Sequence, residues 1–508
     1  MSESRTKNSV INASISTVSK VIFIFMSFIC RTVFIKTLGT EYLGVNGLFT
    51  NILTILSFAE LGIGNAIIFK LYKPIAEEDK ERIKTLLHFY KKAYFLIGTV
   101  IICAGLAVIP FLHFMIKDAP DIKESISHIY ILFLLNTAIS YFFTYKKSII
   151  TGHQKDYVVN LVNLIVTTLI NICQIIFLIV THNYVVYLLL QITATLLDNI
   201  IISIISNKMY PYIKDKEYTK ITKEEEKNIF SDVKSLILYK LGYILSNGTD
   251  NIIISSFLGV AQVGLFSNYT TVTNAITSLL SSPFNSITAS IGNLNTIKER
   301  KRKETVFYQI LLISFIVYGY ISIAMTLLLN KFITIWLGNE YILSLSISIA
   351  LGFNLYVDGM RYVNYTFRNT LGLFKKGRFI PLISSVANII LSLILVRYIG
   401  MFGVLISTAL SRLFILTWYD PYIIHKHEFK TSYKRYVKTY IYYLVIEIIT
   451  FAICYKIISF INLTGIIDFI VCGIVITIIT VIIYVITTFN LKEFKETKDR
   501  VTNIIKRK

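Results

Sequence analysis

The same residues recur at two places in this chain, 220 positions apart, and both copies run through apolar stretches of membrane-spanning length. Leu38-Gly39 and Gly44 in the first copy match Leu258-Gly259 and Gly264 in the second. The other pairs at this offset are Lys20 and Lys240, Asn65 and Asn285, Gly152 and Gly372, and Lys155 and Lys375. A KER-x6-FY segment also recurs, from Lys80 and from Lys298, at an offset of 218 that a two-residue gap explains. The shared offset predicts a duplicated membrane protein.

Composition supports this prediction. Of the 508 residues, 54% are hydrophobic and only 16% are charged, and the mean hydropathy is +0.64. Such a chain has too little polar surface to close around a soluble core. The five cysteines lie in apolar stretches without CxxC spacing, which predicts packing residues and neither a disulfide framework nor a metal site.

The hydrophobic segments predict an all-α polytopic membrane protein with about 14 transmembrane helices. Because each copy holds six spans, an even number, both copies enter the membrane from the same side and form two parallel six-helix repeats, with two extra C-terminal helices. The predicted spans are 12–35, 44–69, 86–110, 126–146, 157–180, 184–206, 236–258, 264–290, 305–329, 342–363, 379–397, 402–419, 436–459 and 466–488. The predicted domains are an N-terminal lobe at 1–206, a cytoplasmic linker at 207–235, a C-terminal lobe at 236–419, and the last two spans with a basic cytoplasmic tail at 420–508.

The positive charge follows the membrane topology. If the N-terminus is cytoplasmic, the cytoplasmic segments hold most of the 51 Lys and Arg residues. The opposite side holds only Lys36, Lys117, Lys123, Lys331 and Arg397. Both termini are therefore predicted to be cytoplasmic. The net charge of +21 requires no nucleic-acid partner, because the basic residues are scattered over separate segments.

Cations inside the spans are the candidate substrate-binding residues, because a charge in the bilayer is expensive. Lys20, Ser27 and Arg31 form one helical stripe, and Lys240, Asn247 and Asn251 repeat its spacing in the seventh span. Arg412 lies near the middle of the twelfth span. The alternative is structural: Lys20, Lys240 and Arg31 can snorkel to the membrane faces.

Three acids, Asp250, Glu60 and Asp198, are candidates for coupling transport to H+ or Na+. Asp250 can instead neutralise Lys240 or Arg412, and Glu60 can serve helix packing. The sequence contains no GxSxG, HExxH or P-loop motif, so it predicts neither an enzyme nor an ATP-driven pump. No cofactor is predicted apart from a coupling ion.

Fourteen spans, the duplication, the Leu-Gly-x4-Gly segments and Glu60-Leu61-Gly62 resemble the multidrug/oligosaccharidyl-lipid/polysaccharide (MOP) exporter superfamily. Within it, the chain most resembles Wzx-type polysaccharide flippases of the bacterial plasma membrane. The resemblance implies a two-lobe flippase that moves undecaprenyl-diphosphate-linked oligosaccharide repeat units from the inner to the outer leaflet by alternating access. It further implies a role in capsule, O-antigen or exopolysaccharide synthesis, with membrane lipids, a polysaccharide polymerase and chain-length machinery as partners.

The residues favour this subfamily over drug exporters, since cations suit a diphosphate and an exporter of organic cations is expected to use acids. Three alternatives stay open. One is an ion-coupled multidrug exporter, and another is a flippase for lipid II or teichoic-type precursors. The third, an integral-membrane glycan polymerase, would need larger extracytoplasmic loops.

Overall fold

Every regular element among the described residues of the computed structural model is a helix, as expected for an apolar chain whose backbone must satisfy its own hydrogen bonds in lipid. The structure describes residues 2–506 apart from 61–62, 119, 143, 216–218, 220, 223, 225–244, 246–247, 296–298, 374–375, 378 and 462. The α-helices are α1 Ser2–Leu38, α2 Thr40–Leu56, α3 Ile63–Ala76, α4 Lys80–Val108, α5 Leu112–Met115, α6 Ile126–Phe142, α7 Thr144–Gly152, α8 Asp156–Thr181, α9 Tyr184–Met209, α10 Asp250–Leu258, α11 Val260–Asn295, α12 Arg300–Ser314, α13 Tyr320–Trp336, α14 Leu345–Thr370, α15 Ile380–Ser411, α16 Thr417–Ile424, α17 Lys434–Ile458, α18 Gly465–Thr488 and α19 Lys492–Lys506.

The predicted polytopic all-helical fold is confirmed. Among the described residues, 8 helical segments are long and apolar enough to cross a membrane, and the bent pair α6 and α7 makes up to 9. The predicted spans otherwise fall on helices that are more polar or interrupted. The second span was predicted as continuous, whereas a 3-10 turn at Ser57–Glu60 separates α2 from α3. Of the seventh span, only the last part, α10, lies among the described residues.

Helix α15 contains two predicted spans, because its backbone turns at Ile399 and Gly400. Gly400 has a positive φ of 58°, which glycine adopts at little cost. Hydrogen bonds join the two sides of the turn as in an antiparallel hairpin. Ser384 Oγ donates to the Ser411 carbonyl (3.2 Å), Thr408 Oγ1 to Asn388 Oδ1 (3.2 Å) and Ser392 Oγ to the Val404 carbonyl (3.4 Å). The separate eleventh and twelfth spans are therefore present.

The duplication is visible in the backbone. Gly39 and Gly259, 220 residues apart, have φ angles of 90° and 95°. Their amides donate to Ile35 and Ser255, which are again 220 residues apart. Each glycine thus ends one helix and starts the next in a conformation that other residues rarely adopt. Leu-Gly recurs in both copies because this turn requires glycine.

A second repeated glycine brings the two copies into contact. A Cβ on Gly44 would lie 2.0 Å from the Val260 carbonyl oxygen, and a Cβ on Gly264 would lie 2.0 Å from the Thr40 carbonyl oxygen. Val260 and Gly264 are the repeat equivalents of Thr40 and Gly44, so the contact is reciprocal, as across a two-fold axis. The Leu-Gly-x4-Gly segments allow α2 and α11 to cross backbone against backbone.

The chain divides into two compact units, Met1–Leu279 and Leu280–Lys508. In the first unit α1 packs along α8, α8 along α9, and α4 along α6. In the second unit α14 packs against α13 and α15, and α18 against α13 and α17. The lobe boundaries predicted from the sequence stay a prediction.

Candidate functional site

Arg31 lies on α1, and its guanidinium bonds to α11 in the first unit. Its Nη1 donates to Ser267 Oγ at 2.9 Å, and its Nη2 donates to the Ser267 carbonyl at 3.1 Å and to Thr271 Oγ1 at 2.6 Å. All of these acceptors are neutral, and no carboxylate among the described residues pairs with Arg31. Hydrogen bonds therefore hold the Arg31 guanidinium in place, but no negative charge among the described residues pairs with it.

Lys20 is half-buried on the same helix and makes no hydrogen bond or ion pair with the described residues. Eleven residues separate it from Arg31, about 16 Å along a helix, so one phosphate group cannot bridge them. Ser27, between them, is exposed. Lys240 and Asn247 lie outside the described residues, so their role in substrate binding stays a prediction.

Asp250 and Asn251 start α10 and are half-buried. The Asn251 amide faces α2: its Nδ2 lies 3.7 Å from the position that a Cβ on Gly47 would occupy. The Asn251 Oδ1 atom is buried and lacks a hydrogen-bond partner in the part of the chain that the structure describes. This oxygen is available to a bound polar group.

Arg412 begins a π-helical turn, Arg412–Leu416, and is buried in the second unit. Its Nη1 pairs with Asp358 Oδ2 on α14, and Asp358 Oδ1 accepts from Arg361 at 3.1 Å. Two guanidinium groups thus share one carboxylate, and the trio keeps a net positive charge. The Asp358 side chain is 46% exposed, whereas that of Arg412 is 8% exposed.

Asp358 and Arg361 were missed in the sequence analysis. Both lie toward the cytoplasmic end of the predicted tenth span, where a charge is ordinary. Their spacing of three residues on one helical face was the available signal, since it allows an acid and a base to pair locally. The partner across 54 residues of sequence, Arg412, carries no local signal.

The two acids Glu60 and Asp198 line one cavity of about 310 Å³ in the first unit. The lining is polar and comes mainly from α6 to α9, with Thr144, Lys147, Asn163 and Asn199 among its residues. The Asp198 Oδ1 atom is buried without a hydrogen-bond partner among the described groups. Carboxylate, amide and hydroxyl oxygens around a cavity can bind protons or a small cation.

None of the described residues forms a group of three or more His, Cys, Asp or Glu side chains suited to a metal ion. Three groups of polar side chains are thus the main candidates for the site: the Arg31 contact, the Asp358–Arg361–Arg412 trio, and the Glu60–Asp198 cavity.

The model of a family described as "polysaccharide biosynthesis protein" matches residues 9–291, more than half of the chain. The chain belongs to this family. No sequence among the curated proteins matches it.

Solved structures share the fold. The inward closed conformation of the lipid II flippase MurJ matches with a TM-score of 0.65 at 16% identity, covering 95% of this chain and 99% of that one. An inward-facing multidrug resistance MATE transporter of the MOP superfamily matches with a TM-score of 0.63 at 17% identity, covering 79% and 95%. A point mutant of the Vibrio cholerae MATE transporter VcmN matches with a TM-score of 0.56 at 13% identity, covering 84% and 99%. The chain therefore has the fold of MOP-superfamily transporters.

Proposed function

We propose that this protein is a flippase that moves polyprenyl-diphosphate-linked oligosaccharides from the inner to the outer leaflet of the bacterial plasma membrane. The single observation that carries the proposal is Arg31, a membrane-embedded guanidinium held by neutral acceptors only, in a member of the polysaccharide biosynthesis family. A positioned cation without a counter-charge selects an anionic substrate.

The trio in the second unit supplies a further site of the same sign. Asp358 is half exposed, so an incoming diphosphate can displace it from Arg412 while Arg361 stays nearby. An exchange of one anion for another keeps the buried guanidinium paired throughout, which avoids the cost of leaving it alone. In this scheme Lys20 acts at the cytoplasmic entry and Asn251 binds the substrate further along, with Lys240 and Asn247 as further substrate-binding candidates from the sequence.

In this proposal the Glu60–Asp198 cavity binds H+ or Na+ and thereby couples substrate transport to an ion gradient. The unpartnered Oδ1 of Asp198 supports this role, because a buried carboxylate oxygen without a donor is expensive to maintain. Asp250 is a further candidate. The protein would perform no covalent chemistry and would deliver its cargo to a polysaccharide polymerase and chain-length machinery, with both termini cytoplasmic.

Two other substrates are compatible with this fold. One similar structure is a lipid II flippase and two are MATE transporters, and identities of 13–17% show the fold alone. A drug exporter is disfavoured by the unbalanced charge of Arg31. Lipid II also carries a diphosphate, so Arg31 does not distinguish it from a lipid-linked oligosaccharide. The lipid-linked intermediate that accumulates when the protein is depleted distinguishes these two substrates.

The test is complementation of a flippase-deficient strain with Arg31→Gln, Arg31→Lys and Lys36→Gln. Lys36 is the matched control, because it is an exposed cation on the same helix. We expect Arg31→Gln to lose most surface glycan, Arg31→Lys to retain more, and Lys36→Gln to behave as wild type, all at equal abundance. Removing one charged hydrogen-bonding partner of a diphosphate weakens binding by about 1–3 kcal/mol. Full glycan production by Arg31→Gln would refute the proposed role.

A further inference from the structure

A buried carboxylate in the second unit has no cationic partner among the described residues. Glu447 lies near the middle of α17 and is 7% exposed. Its Oε2 accepts a hydrogen bond of 2.5 Å from the Tyr484 hydroxyl on α18, whereas its buried Oε1 has no hydrogen-bond partner in the described structure. An ionised carboxylate at this depth is costly, so the neutral acid is favoured.

The neighbouring helix is opened to admit this carboxyl group. Between α12 and α13 the chain forms a π-helical turn, Phe315–Gly319. A Cβ on Gly319 would lie 2.6 Å from Glu447 Oε2 and 2.5 Å from the Tyr484 hydroxyl. Glycine at the end of the turn therefore makes the room that Glu447 and Tyr484 occupy. Such π-turns concentrate at functional sites.

Further buried hydroxyls lie on the helices that pack in this part of the second unit. The Ser314 Oγ, Tyr356 hydroxyl and Tyr443 hydroxyl are buried and lack hydrogen-bond partners within the described structure. Tyr443 precedes Glu447 by one helical turn, and Phe315 stacks on it with ring centroids 4.5 Å apart. Tyr356, on α14, interacts electrostatically with Glu447 and with Tyr484. Buried polar groups in proteins are nearly always hydrogen-bonded, so a carboxyl group together with these hydroxyls makes this an unusually polar part of the second unit.

We propose that α12, α13, α14, α17 and α18 enclose a proton-binding site in which the Glu447 carboxylate takes up one proton and becomes a carboxylic acid. The proton comes from bulk solvent as hydronium, which is left as water, and it sits on Oε1 while Oε2 keeps its hydrogen bond from Tyr484. The site is separate from the Glu60–Asp198 cavity, which lies in the first unit.

Among the described residues, the titratable groups within electrostatic range of Glu447 are two tyrosines and one cysteine. Tyr484 bonds to it from α18, Tyr356 lies on α14, and Cys454 lies two turns along α17 itself. From the α12–α13 segment the site receives Ser314 and Gly319, which do not titrate. The nearest cations along α17, Lys438 and Lys456, are exposed and about 13 Å away along the helix. Because no cation is close, the charge of the Glu447 carboxylate is neutralised by binding a proton.

Infrared spectroscopy of the full-length protein in lipid nanodiscs tests the site directly. We expect a carboxylic-acid carbonyl band at neutral pH that diminishes as pH rises and is absent in Glu447→Gln. The matched control is Glu340→Gln, which removes an exposed glutamate in a loop of the same unit and should leave the band unchanged. Identical spectra of wild type and Glu447→Gln across the pH range would overturn the proposal. Loss of the band on adding Na+ at fixed pH would overturn it in favour of a sodium site.

Tyr484→Phe provides a second variant that preserves the packing. The Tyr484 hydroxyl donates to Oε2 and so favours the ionised carboxylate. Its removal should tighten proton binding roughly ten- to hundredfold and move the loss of the band to higher pH. An unchanged midpoint would contradict the proposal. Because neither measurement involves transport, failure here leaves the proposed flippase function intact, and failure of that function leaves this site intact.

Discussion

The backbone crossing of α2 and α11 gives a sharp prediction about alternating access. Gly44→Val and Gly264→Val each place a Cβ at 2.0 Å from a carbonyl oxygen, where real Cβ contacts exceed 3.0 Å. The helices must therefore separate by about 1 Å or more, which costs about 1–3 kcal/mol in the crossed state. Because about 1.4 kcal/mol is tenfold in an equilibrium constant, either substitution should shift the population away from this state roughly five- to hundredfold.

An engineered disulfide one turn further along α2 measures how often α2 and α11 are in contact. A Cβ on Gly47 would lie 3.3 Å from Val263 Cγ1, the atom that a cysteine sulfur at 263 would replace, so Gly47→Cys and Val263→Cys place the two thiols next to each other. In a background without the five native cysteines, we expect efficient cross-linking and loss of flipping without unfolding, as alternating access requires. Adding Gly44→Val should reduce the cross-linked fraction severalfold.

The matched control is Gly473→Ala on α18, where the added Cβ makes an ordinary contact at 3.8 Å. It should leave both cross-linking and flipping at wild-type levels. Equal cross-linking with and without Gly44→Val, or undiminished flipping by the cross-linked protein, would refute the assignment of this crossing to a transport state.

Three further predictions concern the Asp358–Arg412 pair, the role of Asp198 and the membrane topology. Asp358→Asn removes the carboxylate that pairs with the buried Arg412 and should lower the free energy of unfolding in detergent by about 1–3 kcal/mol. The double variant with Arg412→Gln should regain part of this loss, and equal stability of both variants would contradict the pairing. Asp198→Asn should abolish the dependence of flipping on an H+ or Na+ gradient while a substrate gradient still drives it, and retained ion dependence would remove Asp198 from coupling. Single cysteines at Asp118 and Lys216 should label from opposite sides of the membrane, and labelling of both from outside would overturn the topology.

The duplicated residues gave the most reliable structural predictions, because each has a local physical cause. Gly39 and Gly259 are fixed by positive φ, and Gly44 and Gly264 by a contact that excludes a Cβ. Such requirements leave the same residue at the same offset. The all-helical membrane fold follows for a similar reason, since lipid forces every backbone group to bond within its own segment.

The charged partners could not be predicted in the same way. Arg412 was recognised as a cation in a span, but its pairing with Asp358 depends on how two distant helices pack. Glu447 was missed although it lies inside the predicted thirteenth span, where the rule that selected Glu60 and Asp198 also applies. The 3-10 break at Ser57–Glu60 was missed although Glu60, Gly62 and Gly64 lower the hydropathy and the helix propensity of this stretch.

The helical stripe predicted in the first span contains one residue with a defined contact, Arg31 at its C-terminal end. It drew attention to Arg31, which bonds to Ser267 and Thr271, whereas Ser27 on the same stripe is exposed. Sequence periodicity predicts which residues share a face of a helix. It does not predict which neighbouring helix that face contacts, because this depends on packing. The equivalent stripe residues Lys240 and Asn247 fall outside the described part of the chain.

The central claim is that the protein moves a lipid-linked oligosaccharide through its diphosphate. The most direct measurement reconstitutes the full-length protein in liposomes with a labelled polyprenyl-diphosphate oligosaccharide and follows the fraction that a membrane-impermeant glycan oxidant reaches over time. The account predicts exchange between leaflets that is fast in wild type, unchanged in Lys36→Gln and at least severalfold slower in Arg31→Gln. Exchange no faster than in protein-free liposomes, combined with transport of a cationic drug by the same preparation, would contradict it.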